Sequence, residues 1–116
     1  MPFGITCRIQ DDIKREEINL LFKQHRKVYI WGCGSFGKNV LKVLDGKGLQ
    51  VQGFIDSNPQ MHSTVIDEKW IYSPDILNDK EKGYKIIVAS QAGKFSIEEY
   101  LISLGYQHLH DYLIYQ

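Results

Sequence analysis

The sequence predicts an open, parallel α/β sheet of about five strands with helices on both faces, and three observations carry that prediction. The apolar run Val28-Tyr29-Ile30-Trp31 ends directly in the glycine-rich hexapeptide Gly32-Cys33-Gly34-Ser35-Phe36-Gly37. An amphipathic stretch follows, and after it a second apolar segment closes on an acid, Asp56. Further on, Ile86-Ile87-Val88-Ala89 is apolar throughout and too short for a globular helix, as befits a strand covered on both faces. Strand, glycine turn, helix, strand and acid, in that order, form the opening unit of a Rossmann-like domain.

From the N-terminus, residues 1–10 show no period. Asp11 and Asp12 offer caps ahead of Ile13, and Ile18, Leu21, Phe22 and His25 recur at helical spacing, which predicts a lead-in helix from Asp12 to Gln24. The basic run His25-Arg26-Lys27 suits the negative end of that helix and requires no ligand. Residues 1–27 are therefore expected to be an arm with a lead-in helix, and 28–116 the nucleotide-binding domain.

Val28 to Trp31 is the first strand. From Ser35 to Asp45, Phe36, Val40, Leu41, Val43 and Leu44 mark one helical face, and Gly46 or Gly48 supplies the left-handed stop. Val51 to Ile55 is the second strand, and Ser57-Asn58-Pro59 is a turn signal. Trp70-Ile71-Tyr72 is a short third strand, after which Ser73 as cap and Pro74 at the first helical position open a helix from Asp75 to Asp79. Lys85 to Ala89 is the fourth strand. Ser96 is the expected cap of a helix carrying Ile97, Tyr100, Leu101 and Leu104, with Gly105 as its stop. Tyr106 to His110 is the expected fifth strand, and the tail Tyr112 to Tyr115 packs on the domain or meets a partner. Right-handed crossovers place the strands in the order 3-2-1-4-5.

A chain of 116 residues with 43% hydrophobic content suits one domain with one core region. Fourteen basic residues balance fourteen acidic ones, so no global field attracts nucleic acid or an anionic membrane, and neither is expected as a partner. The two cysteines, Cys7 and Cys33, suggest no disulfide. No secretory segment follows Met1 and no apolar run approaches the ~20 residues that span a bilayer, so a cytoplasmic location is expected.

The candidate site is the glycine loop with its acid. Gly32 permits the tight turn out of the strand, Gly34 removes a side chain that would hold a pyrophosphate off the backbone, and Gly37 lets the helix lie close to the sheet. The amides that open the helix at Ser35, Phe36 and Gly37 then face the phosphates with a favourable dipole. Asp56 lies near the offset of about 20 residues expected of the acid that holds a ribose diol. A carboxylate accepts two hydrogen bonds from that diol and repels a 2′-phosphate, and Ser57, Asn58 and Pro59 bring no cation, so NAD is favoured over NADP. A uridine-diphosphate sugar presents the same diol and diphosphate, and the motif does not separate the two; S-adenosylmethionine, with no phosphate, fits less well. Ser90 and Gln91, beyond the fourth strand, fall at the switch point beside the loop and are further candidates.

Other chemistry is thinly represented. His108 and His110 with Asp111 lack a third spaced ligand, and no metal site is expected. Cys33 has no histidine or resolving cysteine near it in sequence and reads as structural or ligand-lining. No tyrosine has a lysine four positions on, and neither a Gly-x-Ser-x-Gly elbow nor a P-loop lysine is present. Catalytic residues are not identified.

Four segments carry a family resemblance: 28–37 through the glycine loop, Gly53-Phe54-Ile55-Asp56-Ser57-Asn58-Pro59, Tyr72-Ser73-Pro74, and Ile86-Ile87-Val88-Ala89-Ser90. Across residues 28–110 the chain resembles the Rossmann-like module of bacterial surface-carbohydrate biosynthesis, which opens certain sugar acyltransferases and is appended to some glycosyl- and methyltransferases and nucleotide-sugar dehydratases. The resemblance implies a glycine loop on phosphates and Asp56 with Ser57 near the nucleoside. The chain ends where the acyltransferases' repeat-built domain would begin, so acyl transfer by it alone is not expected. The expected function is a non-catalytic or accessory domain for a nucleotide-sugar or NAD. The alternative is an NAD-dependent oxidoreductase or redox-responsive regulator completed by a partner domain or oligomer, which the lead-in helix and aromatic tail motivate.

Overall fold

The computed structural model describes residues 27–46, 48, 50–79 and 83–115. The lead-in helix, Cys7, His25 and Arg26 lie outside the described residues. Six strands and two α-helices follow in the order β1 (Val28–Trp31), α1 (Ser35–Gly46), β2 (Gly53–Ile55), β3 (Val65–Ile66), β4 (Lys69–Tyr72), β5 (Lys85–Val88), α2 (Lys94–Ser103) and β6 (Tyr112–Ile114). Short 3-10 turns occupy Pro59–Met61 and Pro74–Asn78.

The strands form one sheet in the order β3-β4-β2-β1-β5-β6, parallel at every junction except β3 with β4. The predicted parallel order is thus present, extended at one edge by β3. In β1 the register sets Tyr29 opposite Gly53 and Ile86, and Trp31 opposite Ile55 and Val88. Because successive side chains alternate across a sheet, each apolar strand feeds two cores. Val28, Ile30, Phe54, Ile71 and Ile87 meet Val40, Leu41 and Leu44 of α1 on one face. Tyr29, Trp31, Ile55, Ile86 and Val88 meet Ile97 and Leu101 of α2 on the other. The unbroken apolar runs at 28–31 and 86–89 reflect that double burial.

Four expectations need correction. The connection from β2 to β4 contains an unforeseen hairpin, whose two-residue loop Asp67-Glu68 has φ of 50° and 68°. Both values are those of a type I′ turn, which normally recruits Asn-Gly, so the sequence carries no familiar hairpin signal. Second, the segment after Ser73 is a 3-10 turn: Ser73 accepts a hydrogen bond from the Asp75 amide at 3.1 Å as foreseen, yet five residues are too few to repay α-helix nucleation. Third, α2 begins at Lys94 with Gly93 at its cap position, and Ser96 lies inside the first turn. The hydroxyl that serves this end is that of Ser90, which accepts from the Gly93 amide at 3.1 Å.

Fourth, the sixth strand is Tyr112–Ile114, and residues 106–111 form a turn. The Asp111 carboxylate accepts from the Gln107 amide at 2.7 Å while the Asp111 amide donates to the Gln107 carbonyl at 2.7 Å, closing a loop with Leu109 at φ 70°. His108 and His110 therefore share no strand face; the His108 ring instead lies 5.3 Å from Tyr112. The buried Tyr106 donates to the Leu77 carbonyl at 3.1 Å and ties this turn to the second 3-10 segment. Among the described residues, no helix is long and apolar enough to cross a membrane.

Candidate functional site

The carboxyl ends of β1, β2 and β5 converge on the glycine loop. Gly32 extends the ladder by donating to the Ile55 carbonyl at 2.9 Å, then turns with φ of 126°. A Cβ here would lie 2.4 Å from the Ala89 carbonyl oxygen, so the loop and the end of β5 are in direct backbone contact. Ser90 follows at once, its amide 3.6 Å from the same point, as the switch-point argument anticipates. Gly37 is equally constrained: a Cβ would sit 1.8 Å from the Gly32 carbonyl oxygen, which is how closely α1 lies on the turn. Gly34 differs, since a Cβ there would meet nothing within 4 Å. Its surface is open, as close approach by a phosphate requires.

The remaining predicted residues divide. Ser35 opens α1 and is exposed. Phe36 is half-buried with its ring 5.0 Å from Tyr115, so what it presents to a ligand is its backbone amide. Gln91 is exposed on the turn before α2. Ser57 is exposed immediately beyond Asp56.

Asp56 is half-buried and held from four sides. Its amide donates to the Tyr72 carbonyl at 3.1 Å, and its own carbonyl oxygen lies 2.7 Å from His62 Nε2. The side chain accepts from the Asn58 amide at Oδ1 (2.7 Å) and from the Cys33 thiol at Oδ2 (3.0 Å). Cys33, only 7% exposed, packs in the α1 core. Burial first, and then the hydrogen bond to and charge of Asp56, push its thiol from 9.0 up to about 11, so it stays protonated at neutral pH. This pairing escaped the sequence because 23 residues separate the partners; the legible clue was that both were expected at the ends of adjacent parallel strands.

Beside Asp56, on the α2 face, lies a cleft of about 690 Å³. Ser57, Pro59 and His62 form one wall and Ser73, Pro74 and Asp75 another, with Trp31, Ser96, Ile97 and Tyr100 completing it. Trp31 and Tyr100 meet edge to face at 5.7 Å. The size is that of a small-molecule site, and the lining combines apolar walls with a few polar groups. Of the predicted residues only Ser57 lines it; Gly32, Gly34, Ser35, Phe36 and Gly37 lie on the adjoining glycine loop, Asp56 at the end of β2, and Ser90 and Gln91 beyond β5. His62, Asp75 and Ser96 were not foreseen as site residues, because they come from three separate segments that no single local motif joins. Among the described residues, no group of three or more His, Cys, Asp and Glu side chains could hold a metal ion.

This open parallel sheet, with a glycine turn leading into α1 and an acid after β2, is a Rossmann-like domain. The model of the C2185-like N-terminal family matches residues 24–110, and the chain belongs to that family. UDP-D-quinovosamine 4-dehydrogenase from Vibrio fischeri is 30% identical over 77% of this chain and 76% of its own, with a TM-score of 0.60. RSP, a Rex-family repressor, is similar in its complex with β-NADH at 16% identity, over 72% of this chain and 43% of the repressor, with a TM-score of 0.55. Its complex with β-NAD+ and operator DNA matches at 13% identity over 77% of this chain and 49% of the repressor, again with a TM-score of 0.55. At those identities the repressor shares the fold alone, and this chain spans less than half its length. No curated protein matches the sequence.

The comparisons sharpen two expectations. The family resemblance stands at the level of a Rossmann-like module, and its acyltransferase part gains no support. The exclusion of nucleic acid is overturned, because a protein sharing this fold is found on operator DNA. Net charge sums over a whole chain, whereas DNA contact depends on a local basic face, which a balanced total does not report.

Proposed function

We propose that the domain binds a nucleotide across the glycine loop and Asp56, with NAD(H) as the ligand, and acts as a non-catalytic or accessory module in cytoplasmic carbohydrate or cell-envelope metabolism. The observation that carries this reading is the open backbone at Gly34 beside a carboxylate whose two oxygens already have fixed partners. The amides of Ser35, Phe36 and Gly37 would face the diphosphate at the positive end of α1, a helix of 12 residues. Asp56 would accept the ribose hydroxyls, and Ser57 with the adjoining cleft would receive the base. Ser90 and Gln91 border the loop where the second half of a dinucleotide would pass.

The complex of RSP with β-NADH supports a nicotinamide dinucleotide on this fold. The Vibrio fischeri relative, named for a uridine-diphosphate sugar, supports the carbohydrate setting and keeps a nucleotide-sugar as the second reading. An accessory role is favoured because the one imidazole of the cleft, His62, is engaged by the Asp56 carbonyl and so shapes the loop after β2.

Calorimetric titration with NADH, NADPH and uridine-diphosphate N-acetylglucosamine, on the chain and on Asp56→Ala, tests the proposal. NADH should bind at least about tenfold tighter than NADPH, with the preference lost in Asp56→Ala. Binding of the sugar nucleotide alone would install the second reading, and binding of neither would end both.

A further inference from the structure

Within the glycine loop, the side chain bonded to Asp56 is that of Cys33, and its role extends beyond filling the α1 core. We infer that Cys33 is a positioning residue of the nucleotide site: its thiol donates to Asp56 Oδ2 and holds the carboxylate in the orientation that receives a vicinal diol. This inference rests on the nucleotide reading and deepens it.

An ionised carboxylate has about four acceptor directions, two on each oxygen. The Asn58 amide takes one on Oδ1 and the Cys33 thiol one on Oδ2. Each oxygen therefore keeps one direction, and a vicinal diol brings two hydroxyl donors. With donors on both oxygens the carboxylate plane cannot rotate freely about its terminal bond, so the two remaining acceptors are presented together before a ligand arrives. Such preorganisation removes an ordering cost from binding.

The position of Cys33 makes the device specific. As the second residue of the hexapeptide it lies between Gly32, in backbone contact with Ala89, and Gly34, open toward the ligand side. Its side chain points the other way, into the core with Val40, Leu41 and Phe54. The thiol thus reaches Asp56 from beneath and occupies none of the ligand's space. Protonation matters equally, because a thiolate would repel both Asp56 and a diphosphate; burial beside Asp56 keeps the proton in place.

Three variants at this position separate positioning from packing. Cys33→Ala and Cys33→Val both remove the donor, one leaving space and the other filling it. Cys33→Ser restores a donor in a smaller group. Calorimetry should find NADH binding about tenfold weaker in the Ala and Val variants and within about threefold of the unsubstituted chain in Cys33→Ser. In an Asp56→Ala background, Cys33→Ala should weaken NADH no further, which a merely structural role would not produce.

A ligand-free measurement runs beside it. In a Cys7→Ala chain, the Raman S–H stretching band of Cys33 should move toward that of a free thiol when Asp56→Ala removes the acceptor. An unmoved band overturns the inference, as does equal NADH affinity in the unsubstituted chain and all three variants. If the unsubstituted chain binds neither NADH nor uridine-diphosphate N-acetylglucosamine, the nucleotide reading fails and takes this inference with it.

Discussion

The three glycines of the hexapeptide make physically different demands, and the difference is testable residue by residue. Gly32 sits at φ 126° with the Ala89 carbonyl 2.4 Å from where a Cβ would be, so any side chain must displace backbone. Gly34 has empty space in that direction. Gly32→Ala should therefore destabilise the domain by about 2 kcal/mol or more, through strain and steric conflict together. Gly34→Ala should change stability by no more than about 1 kcal/mol yet weaken nucleotide binding by more than about tenfold, because the added methyl stands where a phosphate would approach. Urea unfolding separates the two substitutions by stability and calorimetry separates them by affinity. Equal stability losses would mean that the loop is built only for the fold. At this scale the glycine loop and Asp56 of the candidate site are legible by their spacing, whereas the cleft beside them, Ser57 excepted, is not. Nor is the Cys33–Asp56 contact, since no local pattern couples residues in the loops that follow two different strands.

At the scale of elements, legibility followed burial. β1, β2 and β5 lie in the middle of the sheet and are covered on both faces, and that double burial writes itself into the sequence as unbroken apolar runs. The edges carry weaker signals. Tyr106 to His110 and Tyr112 to Tyr115 are both aromatic-rich, and only the Gln107–Asp111 hydrogen bonds decide that the first is a turn and the second a strand. At the opposite edge, β3 has two residues, one of them exposed, and Asp67-Glu68 closes its hairpin without a glycine. Glu68 at φ 68° bears the cost of the left-handed region, about 1–2 kcal/mol for an L-residue. Glu68→Gly should relieve it and stabilise the domain by about 1 kcal/mol, net of the greater freedom glycine gains in the unfolded chain. Thermal unfolding should show a higher midpoint. A lower one would mean that the Glu68 side chain contributes more than its backbone loses.

For the whole molecule, the decisive feature is that the candidate site straddles the sheet. The glycine loop and Cys33 belong to the α1 face, whereas the cleft walled by Trp31, Ile97 and Tyr100 belongs to the α2 face; Asp56 and Ser57 stand between them at the end of β2. A nucleotide seated across both would bridge the glycine loop and the cleft, which lie on opposite faces of the sheet. Any ligand that binds the folded state alone stabilises it, by about 2.7 kcal/mol at a hundredfold excess over its dissociation constant. For a domain of this size each kcal/mol moves the unfolding midpoint by roughly 4–8 °C, so saturating NADH should raise it by about 10 °C or more. The rise should fall to about half or less in Asp56→Ala and Gly34→Ala, whose folds retain both cores. Ser96→Trp, which fills the cleft and leaves the glycine loop untouched, should reduce the rise without abolishing it, because the base would lose its seat while the diphosphate and ribose kept theirs. A full rise in Ser96→Trp would confine the ligand to the glycine loop and detach the cleft from the nucleotide site.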